Sequence, residues 1–273
     1  MGKVNNMMRK ILKWFLPKKK VERIVGESKR ICNLQKDKKD ARDFLSIPHP
    51  EVLKALPTKV SLRQWCGKVK DQGQIGSCAS HAYATSFEIM LRKEKPDWFI
   101  ETSELFHYYN VRQKDYMNTY PQDSGQTLRE GAKCLNQIGI SPESLCPYDY
   151  TKYNEKPGIL AYAFARFWKI KSYSRCQDID AIRYVLSLQK PVILGIKVFT
   201  DFMKGGDAGV ISLPSANDKY FGGHAITVIG YDDTTKLLEI QNSWGRFWGD
   251  RGYCYLPYDY LKDYMIDAWS IEI

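Results

Sequence analysis

After Cys78 the small and apolar residues recur at helical spacing. Ala79, Ala82, Tyr83, Ser86, Phe87, Met90 and Leu91 share one face, which predicts a helix over Cys78–Lys93 with that face buried. Ser103 to Asn110 reads as a second helix with Ser103 as its cap, and Leu128–Ile138 as a third. The pattern then changes. Ala165–Ser174 and Pro191–Val198 read as strands on either side of a helical stretch, Ile179–Leu188. Pro191 to Ile196 is almost continuously apolar, as expected of a strand covered on both faces. Gly222 to Tyr231, rich in β-branched residues, and Leu237 to Gly245 flank the polar turn 232–236 and read as a hairpin. Helices therefore gather before residue 158 and strands after it, an α+β chain in two halves.

Two places in this pattern carry chemistry. Asp71 to Ser80 is a loop punctuated by Gly73 and Gly76 that runs into the first helix, with Cys78 at the junction. Unpaired N–H groups and the positive end of the helix dipole favour a thiolate there, and the thiolate is the nucleophilic form. A small buried thiol is the plainer reading of the loop taken alone. In the hairpin, folding about Asp233 makes opposed residue numbers sum to 466, which sets His224 opposite Asn242. A histidine oriented by a side-chain amide supplies the base and the orienting group of a Cys-His-Asn constellation.

Taken together, these residues resemble the papain-type cysteine peptidase family. The resemblance rests on Gln72 six before Cys78, Gly76-Ser77-Cys78, Gly223-His224-Ala225, and Asn242-Ser243-Trp244-Gly245 followed by Trp248-Gly249 and Gly252-Tyr253. His224 follows Cys78 by 146 residues, a separation usual for that family. The resemblance spans roughly residues 57–273. It implies a papain-like fold, with a helical half (roughly 57–158) and an antiparallel β-barrel-like half (159–273) enclosing a cleft. It also implies roles: Cys78 as nucleophile, His224 as its partner, Asn242 orienting the imidazole, Trp244 shielding that bond, and Gln72 with the Cys78 N–H as oxyanion hole. Gly125 matches a glycine that pairs with extended substrate. Gln126 and Thr127 fall where pocket-lining side chains stand, and Gly223 adjoins the histidine. Peptide or protein substrates follow, and neither metal nor organic cofactor is expected. The chain departs from the family at Ile75, where a cysteine is usual, at Ala79, where an aromatic is usual, and at Ser80-His81, where an apolar pair is common. His81, three residues past Cys78, either perturbs the thiol or is a solvated or core histidine.

Charge alters the picture at one end only. Residues 1–40 hold 13 Lys or Arg against 4 Asp or Glu, leaving 28 against 27 in the rest. The basic pI belongs to the arm, and a neutral body argues against nucleic-acid binding. Met8, Ile11, Leu12 and Phe15 share a face opposite Arg9, Lys10 and Lys13, a pattern suited to weak contact with an anionic surface or to docking on the chain's own domain. Ile11–Leu16 is too short for a secretory signal core. Residues 1–56 are expected to form a pro-like or regulatory arm that lies in the cleft, ahead of a catalytic domain at 57–273. The seven cysteines include no C-x-x-C pair, so no zinc site is expected; mostly reduced thiols and a reducing compartment are. Two other functions remain open: a catalytically silent binding module, and a transpeptidase or ligase using the same triad.

Overall fold

Among residues 30–273, which the computed structural model describes, the β-branched runs pair into one seven-stranded sheet. The basic amphipathic pattern of Met8 to Phe15 lies outside the described residues. The strands are β1 (Lys59–Ser61), β2 (Ser172–Arg175), β3 (Val192–Phe199), β4 (Tyr220–Asp232), β5 (Leu237–Gln241), β6 (Tyr253–Pro257) and β7 (Met265–Glu272). All pair antiparallel, in the order β2-β7-β3-β4-β5-β6, with β1 added against β4. The path starts at β2 and ends at β6, so the barrel-like half is an open sheet. Its strands fill a core with Leu194, Ile196, Ile226, Val228 and Ile240.

The helices are α1 (Pro50–Lys54), α2 (Cys78–Glu94), α3 (Glu104–Val111), α4 (Leu128–Gln137), α5 (Ile159–Ala165), α6 (Ile179–Ser187), α7 (Thr200–Lys204) and α8 (Tyr260–Tyr264). Side-chain caps start four of them: His49 accepts from Glu51 N, Ser103 from Phe106 N, Thr127 from Glu130 N and Asp178 from Ala181 N. The central helix α2 is buried on more than the one face its periodicity predicts, because Ser80, His81 and Glu88 are covered too. It packs on β4, where Thr227 Oγ1 donates to Ala82 O at 3.2 Å. The division at residue 158 is crossed both ways: β1 joins the sheet, and Ala161 and Ala165 of α5 pack on Phe106 of α3.

Two sequence expectations are corrected. Ala165–Ser174 is not one strand: α5 ends at Ala165, Trp168 and Ile170 are buried in the connection, and only Ser172–Arg175 is extended. The hairpin register also differs. Asp232 pairs with Leu237, and Thr227 with Gln241 after a bulge between Val228 and Gly230. Asp232 Oδ1 accepts from Thr234 N at 2.9 Å and Lys236 adopts φ +56°, which closes a four-residue turn in place of one centred on Asp233. β5 ends at Gln241, so Asn242 approaches His224 from beyond the strand end rather than across the ladder.

One buried ion cluster ties the loop before α2 to the helices. Lys70 Nζ lies 2.7 Å from Glu88 Oε1 and is also bonded to Glu104. Burial pulls the ammonium's pKa down, but Glu104 and Glu88 together hold it above the usual lysine range. Removing one member of a buried cluster strands the others' charge. Lys70→Met should therefore lower the unfolding free energy by about 3 kcal/mol, read from urea denaturation.

Candidate active site

Cys78 is the first residue of α2, where helix N–H groups have no partner within the helix. Its sulfur faces its own N–H, that of Ala79 and that of Ala225, the residue after His224. The thiol from the helical half thus lies against the β4 backbone at the residue next to His224. Both are sealed from solvent, with Cys78 1% and His224 0% exposed. Burial, outweighing those N–H groups, pushes the thiol up to about 11. It pulls the imidazole down to about 4, against the opposing effect of Asn242. At neutral pH both are therefore uncharged in this state.

The proton positions at His224 follow from its neighbours. Asn242 Oδ1 accepts from Ser243 N at 2.8 Å, which fixes the amide orientation. His224 Nε2 lies 2.8 Å from the same Oδ1, so Nε2 carries the proton and donates. Nδ1 is left buried without a hydrogen bond, its lone pair free to take a proton. Trp244 lies over the imidazole at 4.5 Å between ring centroids and 31° between planes, and Phe202 meets both rings edge-on. Gln72 is held from three sides. Its N donates to Ser243 O at 2.9 Å, its Oε1 accepts from Ser243 Oγ at 2.8 Å and Trp244 Nε1 at 3.2 Å, and its carbonyl accepts from Tyr148 at 2.7 Å. The amide nitrogen donates to Ile75 O at 3.0 Å, and its second hydrogen is turned toward Ile31 O. Such an arrangement has a nucleophile, a base with a fixed tautomer and a preorganised donor. Among the described residues, no group of three or more His, Cys, Asp or Glu side chains is arranged to hold a metal ion.

The seal over this spot is the chain's own arm. Arg30 pairs with Asp71 at 2.5 Å and donates to Trp244 O at 2.8 Å. Ile31 O accepts from Gln72 Nε2 at 3.5 Å. Leu34 N donates to Gly223 O at 3.0 Å and Gln35 N to Gln126 O at 3.1 Å. A Cβ at Gly125, which has φ +69°, would stand 2.1 Å from Asn33 O, so this approach needs a glycine. Leu34 fills a buried niche against Gly195, Ala225 and Ile266, where a Cβ on Gly195 would sit 2.6 Å from its Cδ2. Farther along, Asp37 accepts from Arg129 N and Trp269 Nε1, and Asp43 pairs with Arg129 at 2.6 Å and Arg175 at 3.1 Å. Leu45 bridges to Arg175 on β2.

These contacts lie within a chain whose residues 56–268 match the family model described as papain family cysteine protease. The chain belongs to the papain family of cysteine proteases. Over 215 residues it is 33% identical to an uncharacterized peptidase C1-like protein of Acanthamoeba polyphaga mimivirus, covering 74% of this chain and 68% of that one. It is 25% identical to a cathepsin L-like proteinase of Fasciola hepatica, covering 78% and 64%. Xylellain, a cysteine protease from Xylella fastidiosa, superposes with TM-score 0.82 at 33% identity, over 92% of this chain and 99% of that one. A digestive procathepsin L 3 of Tenebrio molitor shares the fold, with TM-score 0.66 at 18% identity, over 97% and 79%. As a family member the chain is divergent at Ile75, Ala79 and His81.

Of the residues singled out in the sequence, Cys78, His224, Asn242, Gln72 and Trp244 converge, and Gly223 and Gly125 line the arm's path. Gln126 meets the arm through its carbonyl, while its side chain is buried and bonded to Ser80 Oγ at 2.8 Å. Thr127 is occupied as a helix cap. Sequence reasoning missed Ser243, though it lies inside the Asn242-Ser243-Trp244 motif, and Tyr148, which belongs to none of the motifs. It also missed which arm residues lie in the cleft; nothing in their composition marks them.

The pH dependence of alkylation tests the sealed state. A thiol raised to about 11 becomes thiolate only as pH climbs toward that value. Iodoacetamide should therefore label Cys78 of the full chain slowly near neutrality and faster toward pH 11. Leu34→Arg, which cannot seat in the apolar niche, should move the rise about two pH units lower. Fast labelling of the unaltered chain at neutral pH would contradict the sealed state.

Proposed function

We propose that this protease is made latent by its own arm and, once the arm leaves, cuts peptide bonds through an acyl-enzyme. The observation that carries the reading is the His224 Nε2 to Asn242 Oδ1 bond, which leaves Nδ1 without a partner, on a strand whose next residue, Ala225, turns its N–H to the Cys78 sulfur. With the arm gone, water and the helix N-terminus favour charge, and the Cys78 proton passes to His224 Nδ1. The thiolate attacks the substrate carbonyl carbon and a C–S bond forms. The oxygen takes the negative charge and is held by Gln72 Nε2 and the Cys78 N–H. His224 then returns its proton to the leaving nitrogen as the C–N bond breaks. A water, deprotonated at the same Nδ1, opens the thioester and releases the acid. Ile31 O, already bonded to Gln72 Nε2, marks where the carbonyl oxygen would lie.

The niche that holds Leu34 supports a preference for a branched aliphatic side chain near the scissile bond on the acyl side. Burying a leucine there is worth about 2 kcal/mol, enough to discriminate against a charged residue at the same position. The basic residues before Arg30 are assigned to the arm's attachment, including weak contact with an anionic surface.

Fluorogenic peptides test this reading. The full chain should hydrolyse them slowly, and the Leu34→Arg variant much faster, with leucine preferred over lysine at the position before the residue that donates the acyl group. Adding Cys78→Ala should cut turnover by more than about a thousandfold. Peptide binding without turnover in the open variant would replace this reading with a binding module. A new amide with an added amine would make the chain a transpeptidase.

A further inference from the structure

Behind the cleft, a run of polar contacts joins the two groups proposed to hold the oxyanion. Tyr148 Oη donates to the Gln72 carbonyl at 2.7 Å. A phenol has one proton, so its 2.8 Å contact with Ser77 Oγ must be one in which Ser77 donates and Tyr148 accepts. His81 Nδ1 lies 3.0 Å from the Ser77 carbonyl, an acceptor only, so Nδ1 carries hydrogen and donates. The His81 ring meets the Tyr148 ring edge-on at 4.8 Å. Ser77 and His81 are buried. Burial also keeps the imidazole neutral, against the opposing pull of Glu104. Glu143 Oε1 accepts from Tyr148 N at 2.7 Å and fixes the backbone that presents the ring.

The Ser77 carbonyl and the Cys78 N–H belong to one peptide plane. A bond to the first therefore sets the direction of the second. We infer that Tyr148 and His81 are positioning residues for the oxyanion hole. Tyr148 holds the Gln72 backbone and, through Ser77, the start of α2; His81 holds the Ser77–Cys78 plane. Neither side chain reaches the reacting atoms. Their contribution is to keep two donors, borne on different segments, at a constant separation so that both bind a tetrahedral oxygen together. Preorganised donors act without reorganising during the reaction, and a donor displaced by a fraction of an ångström loses much of its effect.

This inference rests on the peptidase reading, and the experiment separates the two. The full chain carrying Leu34→Arg, with the cleft open, is the parent. Tyr148→Phe, which removes one oxygen, is added to it. Three quantities are measured: kcat and KM on a fluorogenic peptide, the inhibition constant of a peptide aldehyde whose hemithioacetal oxygen occupies the oxyanion hole, and the iodoacetamide alkylation rate of Cys78. Alkylation needs the thiolate but no oxyanion. The expected result is a loss of about tenfold in kcat and in aldehyde affinity, with KM and alkylation within about twofold of the parent. His81→Leu should behave like Tyr148→Phe. His81→Asn, which returns an N–H near the Nδ1 position, should recover most of the loss. Unchanged kcat and aldehyde affinity would overturn the inference, as would an equal fall in alkylation, which marks general disorder. A parent that neither hydrolyses peptide nor binds aldehyde overturns the peptidase reading and this inference with it.

Discussion

A thiol and an imidazole become an ion pair only where their charges are solvated or otherwise stabilised, and desolvation decides their state here. The N-terminus of α2 and the bond to Asn242 both favour charge, yet Cys78 is pushed up and His224 pulled down because burial removes water from both. All the parts are assembled, with the imidazole tautomer fixed and Gln72 locked on three sides, while the charge separation that would start chemistry is suppressed. Latency of the kind proposed here needs no distortion of the site. It needs only a lid that fits.

The lid fits through backbone groups more than through side chains. Gly223 O and Gln126 O accept from arm N–H groups, and Gly125 leaves room for Asn33 O. Such contacts are indifferent to sequence, which explains why the arm's seating was not legible in its residues. Leu34 is the exception, and a single leucine in a charged stretch has no periodicity to betray it. The central elements were legible for the opposite reason. α2 begins at Cys78, α3 at Glu104 and β3 at Val192, where small-residue spacing, a serine cap and an apolar run announce them. The catalytic-type residues were legible because their motifs recur in order. The mutual register of β4 and β5 was not, because a bulge and a positive-φ lysine shift it without a sequence signal. The Asn242 side chain reaches His224 regardless, since it leaves from beyond the strand end.

The three departures near Cys78 read differently in context. Ile75 is buried with Leu105 and Tyr108, so apolar packing occupies the place where the family usually has a cysteine. Ala79 is wholly covered within the core beside Cys78. His81 is a neutral core histidine that touches Ser77 and Tyr148. All seven cysteines are free thiols. The site is therefore held by hydrogen bonds and packing, which tolerate a reducing medium as readily as an oxidising one.

A tethered lid is an intramolecular ligand, and its strength is best judged as an effective concentration. Short flexible tethers hold a ligand at about millimolar levels. A substrate making similar backbone contacts must match that before it displaces the arm. The buried pairs of Asp43 with Arg129 and Arg175 raise the barrier further, since the arm cannot leave the cleft far without stranding those charges. Cutting the chain changes the problem. Helix α1, at Pro50–Lys54, has no buried residue and stands between the anchored arm and β1, as exposed segments that proteases nick usually do. A break there turns a millimolar neighbour into a dissociable peptide that dilutes away. The arm's hold is then limited by its contacts alone, and water returns to the pair that its absence had kept neutral.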